Sequence, residues 1–314
     1  MQHVIHQSAQ NQHSLSLWQL FWLRFCQHRM AILSAIILLL FTGLAIVAAL
    51  MEYLTGHDSS SVNLLNRFAA PSNTHVLGTD ELGRDVFIRL LYGGRISLLV
   101  GLLTAILTAI LGTLIGICAG YFGGWIDRYL MRVTDSVISL PLLPLLIVLA
   151  AIDLEKLGLD AEIANGSEIS LYRMILIISL VGWTTVARLV RSSTLSIRER
   201  DYVLASISHG ASPIWIMMRH ILPNSVSPIL VATTLSVGNI ILLESVLSFL
   251  GLGIQPPIPS WGNMLTNAQD LIYESPMLAV WPGIAIFATV IAFNFLGDGI
   301  QDAFDPKSLP KPTV

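Results

Sequence analysis

An all-α integral membrane protein with six transmembrane helices is the fold this sequence predicts, on three observations. Apolar residues make up 54% of the 314 and charged residues 12%, with a mean hydropathy of +0.71, a balance unlike that of a soluble domain. Six apolar runs meet or approach the roughly 20 residues that a helix needs to cross a hydrocarbon core. Lys and Arg between those runs fall unequally on the two sides, which is the asymmetry that orients spanning helices.

Residues 1–14 are polar, and His3, His6 and His13 lack the spacing of a metal site, so this tail reads as disordered. At 15–25, Trp18, Phe21, Trp22 and Phe25 stand beside Arg24 and Arg29. Aromatic residues next to basic ones suit an interfacial helix, and an extension of the first span fits equally well. The six spans are predicted at 31–50, 96–118, 133–152, 174–190, 226–250 and 279–296. The first follows two Arg and has no small-residue cleavage pattern, so it reads as an uncleaved span. In domain terms the chain divides into a tail with interfacial helix at 1–30, a first span at 31–51, and an extracytoplasmic loop at 52–94. A five-helix core at 95–297 contains an inner loop at 191–224, and a tail follows at 298–314.

Eleven of the 17 Lys and Arg lie on the side of the two termini, which are therefore expected in the cytoplasm. The first outer loop opposes the trend with Arg67, Arg84, Arg89 and Arg95, and Asp80, Glu81 and Asp85 are near enough to neutralise them. A net charge of -3 with scattered basic residues excludes nucleic-acid binding. Membrane lipid is the expected surrounding. Cys26 and Cys118 supply neither a disulfide framework nor a thiolate metal site.

Within the spans, Gly112, Gly116 and Gly120 recur every four residues on one helix face. Such a stripe lets backbones approach closely, within the chain or against another subunit. Pro141 and Pro144 predict a kink or a late helix start in the third span. Asp135, near the inner interface, is expected in a structural ion pair. Asn239 and Glu244 are candidate pathway or gate residues, because polar side chains within a span face water or bond between helices. For Glu244 the two roles weigh equally. Five residues separate the pair, about 140° around a helix, so they cannot form one compact ion site. Gln255, Pro256, Pro257, Pro259 and Trp261 mark a rigid external loop.

The inner loop is the most informative segment. Asp201, Tyr202, Ala205 and Ser206 lie in one stretch of helical propensity, Gly210 permits a turn, and a second short helix runs from Pro213 to Arg219 and His220, closing at Leu222 and Pro223. Two short helices around a glycine joint predict a docking surface. At this point the sequence resembles the permease subunits of bacterial ABC importers of the dipeptide, oligopeptide and nickel group. Their loop pattern is Glu-Ala-Ala, three residues, Gly, nine residues, Ile, one residue, Leu-Pro. Here Ala205, Gly210, Leu222 and Pro223 match, whereas Leu204, Ser206 and His220 stand at the Glu, second Ala and Ile positions. The stretches 77–85, 120–132, 248–262 and 297–306 are similar to further segments of that group, with Gln301 in place of a usual Arg.

The resemblance implies a type I importer permease fold in the bacterial inner membrane. It also implies a homologous second permease, two cytoplasmic ATPase subunits that hold ATP and Mg, and an extracytoplasmic substrate-binding protein. The solute would be a dipeptide, an oligopeptide or a relative such as a nickel chelate. No phosphate-binding Gly-x-x-x-x-Gly-Lys motif occurs, so no cofactor and no catalytic or metal residue is expected on this chain. A gradient-driven secondary transporter or channel is the alternative, and it calls for coupled carboxylates at mid-membrane. A membrane-embedded enzyme ranks third.

Overall fold

The computed structural model describes residues 17–304 apart from 56, 57, 159 and 165. The expectations for His3, His6, His13, Lys307 and Lys311 therefore concern positions outside the described residues. The described chain is helical, without a strand. Its principal helices are α1 (Leu17–Gln27), α2 (Arg29–Thr55), α3 (Val86–Phe122), α4 (Gly124–Ser139), α5 (Leu142–Ala150), α6 (Ser167–Arg198), α7 (Asp201–Ser208), α8 (Pro213–Ile216), α9 (Leu222–Phe249) and α10 (Met277–Phe304). Five helical paths are long and apolar enough to cross a membrane: α2, α3, α6, the continuous run Pro213–Phe249, and α10. The pair α4 and α5, bent by 87°, makes a sixth if it is one span.

The long helices run alternately up and down. One end of the bundle therefore carries α1, α4, α7 and α8, and the other carries the loops at 58–85, 151–166 and 250–276. The core between them is apolar, with Val100, Met174, Ile178, Ile241 and Leu247 buried. The outer surface is apolar too: Leu39, Ile46, Ile110, Leu176 and Phe287 are exposed. A hydrophobic surface around a hydrophobic core is what lipid, rather than water, requires.

The third predicted span is broken at Pro141, as its two prolines predict. Residues 133–139 belong to α4 and only α5 continues the run, because Leu140 precedes a proline and is held extended (ψ 139°). Pro144 costs nothing there, since it lies in the first turn of α5, where an N–H has no helical acceptor. Helix α3 begins ten residues before the predicted span, inside the loop assigned to 52–94, because the Asp85 carboxylate accepts from Ile88 N at 2.9 Å and caps it. The inner loop also differs. Leu222 and Pro223 open α9 instead of closing the loop, and Pro213–Phe249 runs without a break. Pro223 has no N–H to offer, and a π turn at Met217–Ile221 lets Leu222 N reach Met217 O. Helix α1 is separate from α2, whose first turn is capped by His28 Nδ1 accepting from Ala31 N at 3.1 Å. Its Phe21 ring packs 4.7 Å from Phe304.

The glycine stripe lies inside the chain, facing α6. A Cβ at Gly112 would stand 2.6 Å from Val186 Cβ, one at Gly116 2.6 Å from Ala187 O, and one at Gly120 2.6 Å from Thr194 Cβ. These separations leave no room for a methyl group, so α3 and α6 meet backbone to backbone.

Candidate functional site

Four parts of the bundle gather its polar, charged and exposed apolar groups. The first is an elbow between α6 and α9. Helix α7 closes with Gly210 N donating to Ile207 O at 2.9 Å and Ala211 N donating to Ser206 O at 3.1 Å. This paired ending needs a left-handed residue just past the helix, and Gly210 has φ 78°. Ser212 then caps α8 and Pro213 occupies its first turn. Asp201, Tyr202, Ala205, Gly210, Arg219 and Pro223 are exposed, whereas Ser206 and Leu222 are half-buried.

The elbow has an apolar inner side and an apolar outer side. Inward, Val203, Ile216 and Ile221 are fully buried with Ile117, Val186 and Val190 of the long helices, which ties the elbow to the spans. Outward, Leu204, Ile207, Ile214, Trp215 and Met218 are exposed. An exposed apolar patch of this kind is one that another protein surface can cover.

The second part is a cavity of about 650 Å³ between α3, α5, α6, α9 and α10, bordered by Thr108, Thr185, Ser236, Asn239 and Gln301 among apolar side chains. No Asp, Glu, Lys or Arg lines it. Of the two pathway candidates the structure brings only Asn239 to this cavity.

Glu244 is in the third part, a buried knot at the opposite end from the elbow. Its carboxyl is fully buried and accepts from Ser248 Oγ at 2.7 Å and Ser97 Oγ at 3.2 Å. Ser97 Oγ in turn accepts from Trp261 N at 3.1 Å. The Trp261 indole donates to Leu90 O at 3.0 Å and lies against Gly94, where a Cβ would come within 2.8 Å of the ring. Asn263 pins the same loop by donating to Ile258 O at 2.7 Å, and Gln255 N donates to Ser170 Oγ at 3.0 Å. The external loop expected from Gln255, Pro256 and Pro257 is thus folded back onto α3, α6 and α9.

The fourth part is charged. Asp127 and Asp135 of α4 pair with Arg191 and Arg188 of α6, fastening the bent helix. An open groove of about 890 Å³ runs beside them, with Arg128, Arg132 and Ser139 on its wall. At the far end, Arg84 Nε lies 2.7 Å and Arg89 Nε 3.4 Å from Asp80 Oδ2, all three buried. Asp80 and, at 3.5 Å from Arg84 Nη2, Glu81 thus neutralise two of the four Arg expected here, whereas Asp85 bonds His75 Nδ1 at 2.8 Å instead of an Arg. In the same loop the Ser60 N–H and hydroxyl bond the Asp58 carboxylate and hold it below the usual carboxylate range.

The role of His220 was not legible in the sequence. Its Nε2 lies 3.0 Å from Ser206 Oγ, and its ring stands 5.0 Å from Trp215 and 5.6 Å from Tyr202. The signal was present as two departures from the loop pattern, but nothing in their spacing says that they touch.

Two family profiles match the sequence. One, described as "Binding-protein-dependent transport system inner membrane component", covers residues 112–309; the other, "N-terminal TM domain of oligopeptide transport permease C", covers residues 16–71. Among similar proteins, "Glutathione transport system permease protein GsiD" of Pectobacterium atrosepticum is 39% identical over 92% of this chain and 91% of its own length. The protein of the same name from Shigella flexneri is 42% identical over 92% and 90%. "Dipeptide transport system permease protein DppC" of Alkalihalophilus pseudofirmus is 38% identical over 94% and 91%.

Proposed function

This chain belongs to the binding-protein-dependent transport system inner membrane components, the permeases of ABC importers, and on that premise we propose that it imports peptides. With a homologous second permease it would form the pathway for a dipeptide or a glutathione-like tripeptide. An extracytoplasmic binding protein would deliver the solute, and two cytoplasmic ATPase subunits would supply ATP and Mg chemistry. The names of the relatives favour peptide solutes over nickel chelates. The elbow end is placed in the cytoplasm, supported by the eleven Lys and Arg that the sequence assigns to that side. The gradient-driven alternative is set aside by the family itself.

The observation that carries this reading is the two-sided elbow. Its outer face offers Leu204, Ile207, Ile214 and Trp215 to an ATPase subunit, while its inner face is packed into the spans. Movement of the partner would therefore be passed to α6 and α9 and rock the pathway between its two openings.

Gly210→Asp is the test. Asp tolerates the left-handed region better than most L-residues, so the substitution acts chiefly by adding a charge to an apolar docking face. In proteoliposomes holding the whole complex, uptake of labelled glutathione or alanyl-alanine is expected to fall about fivefold or more. Co-purification of subunits should be unchanged, and stimulation of ATPase activity by loaded binding protein should be lost. Wild-type uptake and stimulation together would remove the docking role.

For the cavity, Asn239→Leu is expected to leave assembly and basal ATPase activity intact and to lower the uptake rate about threefold to tenfold, the scale of one lost polar contact. Unchanged uptake of both solutes would place the pathway elsewhere.

A further inference from the structure

We infer that His220 is a positioning residue that clasps α7 to the root of α9, so that elbow and span move as one piece. The inference deepens the docking reading above and rests on it. Three observations converge. First, Ser206 and His220 are two of the three positions at which this loop departs from the pattern it resembles, Ser for Ala and His for Ile, and the two departures touch each other at 3.0 Å. Second, among the described residues this is the one side-chain hydrogen bond joining α7 to 213–224. Third, the imidazole stands 5.0 Å from the Trp215 ring and 5.6 Å from the Tyr202 ring, and the His220 backbone carbonyl accepts from Asn224 Nδ2 at 2.6 Å.

The direction of the bond follows from counting hydrogens. Ser206 Oγ donates its single hydrogen to Tyr202 O at 2.8 Å, so toward His220 it is an acceptor and Nε2 carries the proton. Neutral imidazole in that tautomer and imidazolium donate in the same sense. An apolar Ala and Ile pair at these positions would press the same surfaces together without fixing their register. The hydrogen bond fixes it, at the π turn where the backbone leaves regular α-helix geometry. Helix α7 buries only Val203, so a push on its exposed face reaches α9 through Val203 and this clasp.

Four variants of the assembled transporter, reconstituted with its partners, test the clasp: Ser206→Ala, His220→Ile, the double Ser206→Ala/His220→Ile, and His220→Gln. The quantity read is glutathione or alanyl-alanine taken up per ATP hydrolysed, at equal co-purification. Each of the first two is expected to lower that ratio about threefold to tenfold, within the reach of one hydrogen bond. The double variant removes the same bond a second time and is expected to lose no more than the larger of the two single losses. His220→Gln retains an N–H near the Nε2 position and is expected to stay coupled, and it stands in if His220→Ile does not assemble. Single variants at full coupling, additive losses in the double variant, or an uncoupled His220→Gln would each overturn the clasp. Gly210→Asp run alongside separates the two readings. If it uncouples while His220→Ile does not, docking stands and the clasp falls. If neither uncouples, both fall.

Discussion

Gly116→Leu is expected to abolish recovery of the assembled transporter, a larger effect than any other substitution proposed for this chain. The Cβ alone would stand 2.6 Å from Ala187 O and 2.8 Å from Val190 Cβ, and three further carbons follow it. The first obstacle is backbone, which no rotamer change removes, so α3 and α6 must separate along their shared seam. Overpacking of this kind costs about 3 kcal/mol or more when the neighbours cannot give way. Gly43→Leu is the matched control, because a Cβ there meets nothing within 4 Å. Yield after detergent extraction and thermal unfolding measure both variants. Equal recovery of the two would show that the α3–α6 seam does not hold the bundle together.

Glu244→Ala ranks second. Removing the carboxyl deprives Ser97 and Ser248 of their acceptor inside a sealed site, leaves a void, and loosens the anchor of Trp261. Unpaired buried hydroxyls and the void together amount to about 2–5 kcal/mol. Co-purification with the partner subunits is expected to fall about tenfold, and Glu244→Gln, which keeps the volume and one acceptor, should recover most of it. Full assembly of Glu244→Ala with altered uptake would instead return Glu244 to the pathway role that its sequence position allowed.

The helices themselves were legible because apolar length is a strong signal and lipid admits few alternatives. The elbow was legible for a different reason: Gly210 and Pro213 constrain backbone angles locally, and that information lies within a few residues. What could not be read were pairings across the chain. Ser97 and Glu244 are separated by 147 residues, and no periodicity links them. The same holds for Asp135 with Arg188, where an ion pair was expected but its partner was not identifiable. The π turn escaped because Leu222 and Pro223 look like a loop terminus when a regular α register is assumed. Asn239 and Glu244 could be assigned to different helix faces, but which face met the cavity depended on neighbours that only the folded bundle supplies.

The sharp bend between α4 and α5 has a consequence for the chain on its own. At 1.5 Å per residue the nine residues of α5 reach about 14 Å, roughly half the depth of a hydrocarbon layer. A single copy is therefore a barrel with a short stave. At that position the described chain has about half the helical depth of its neighbours.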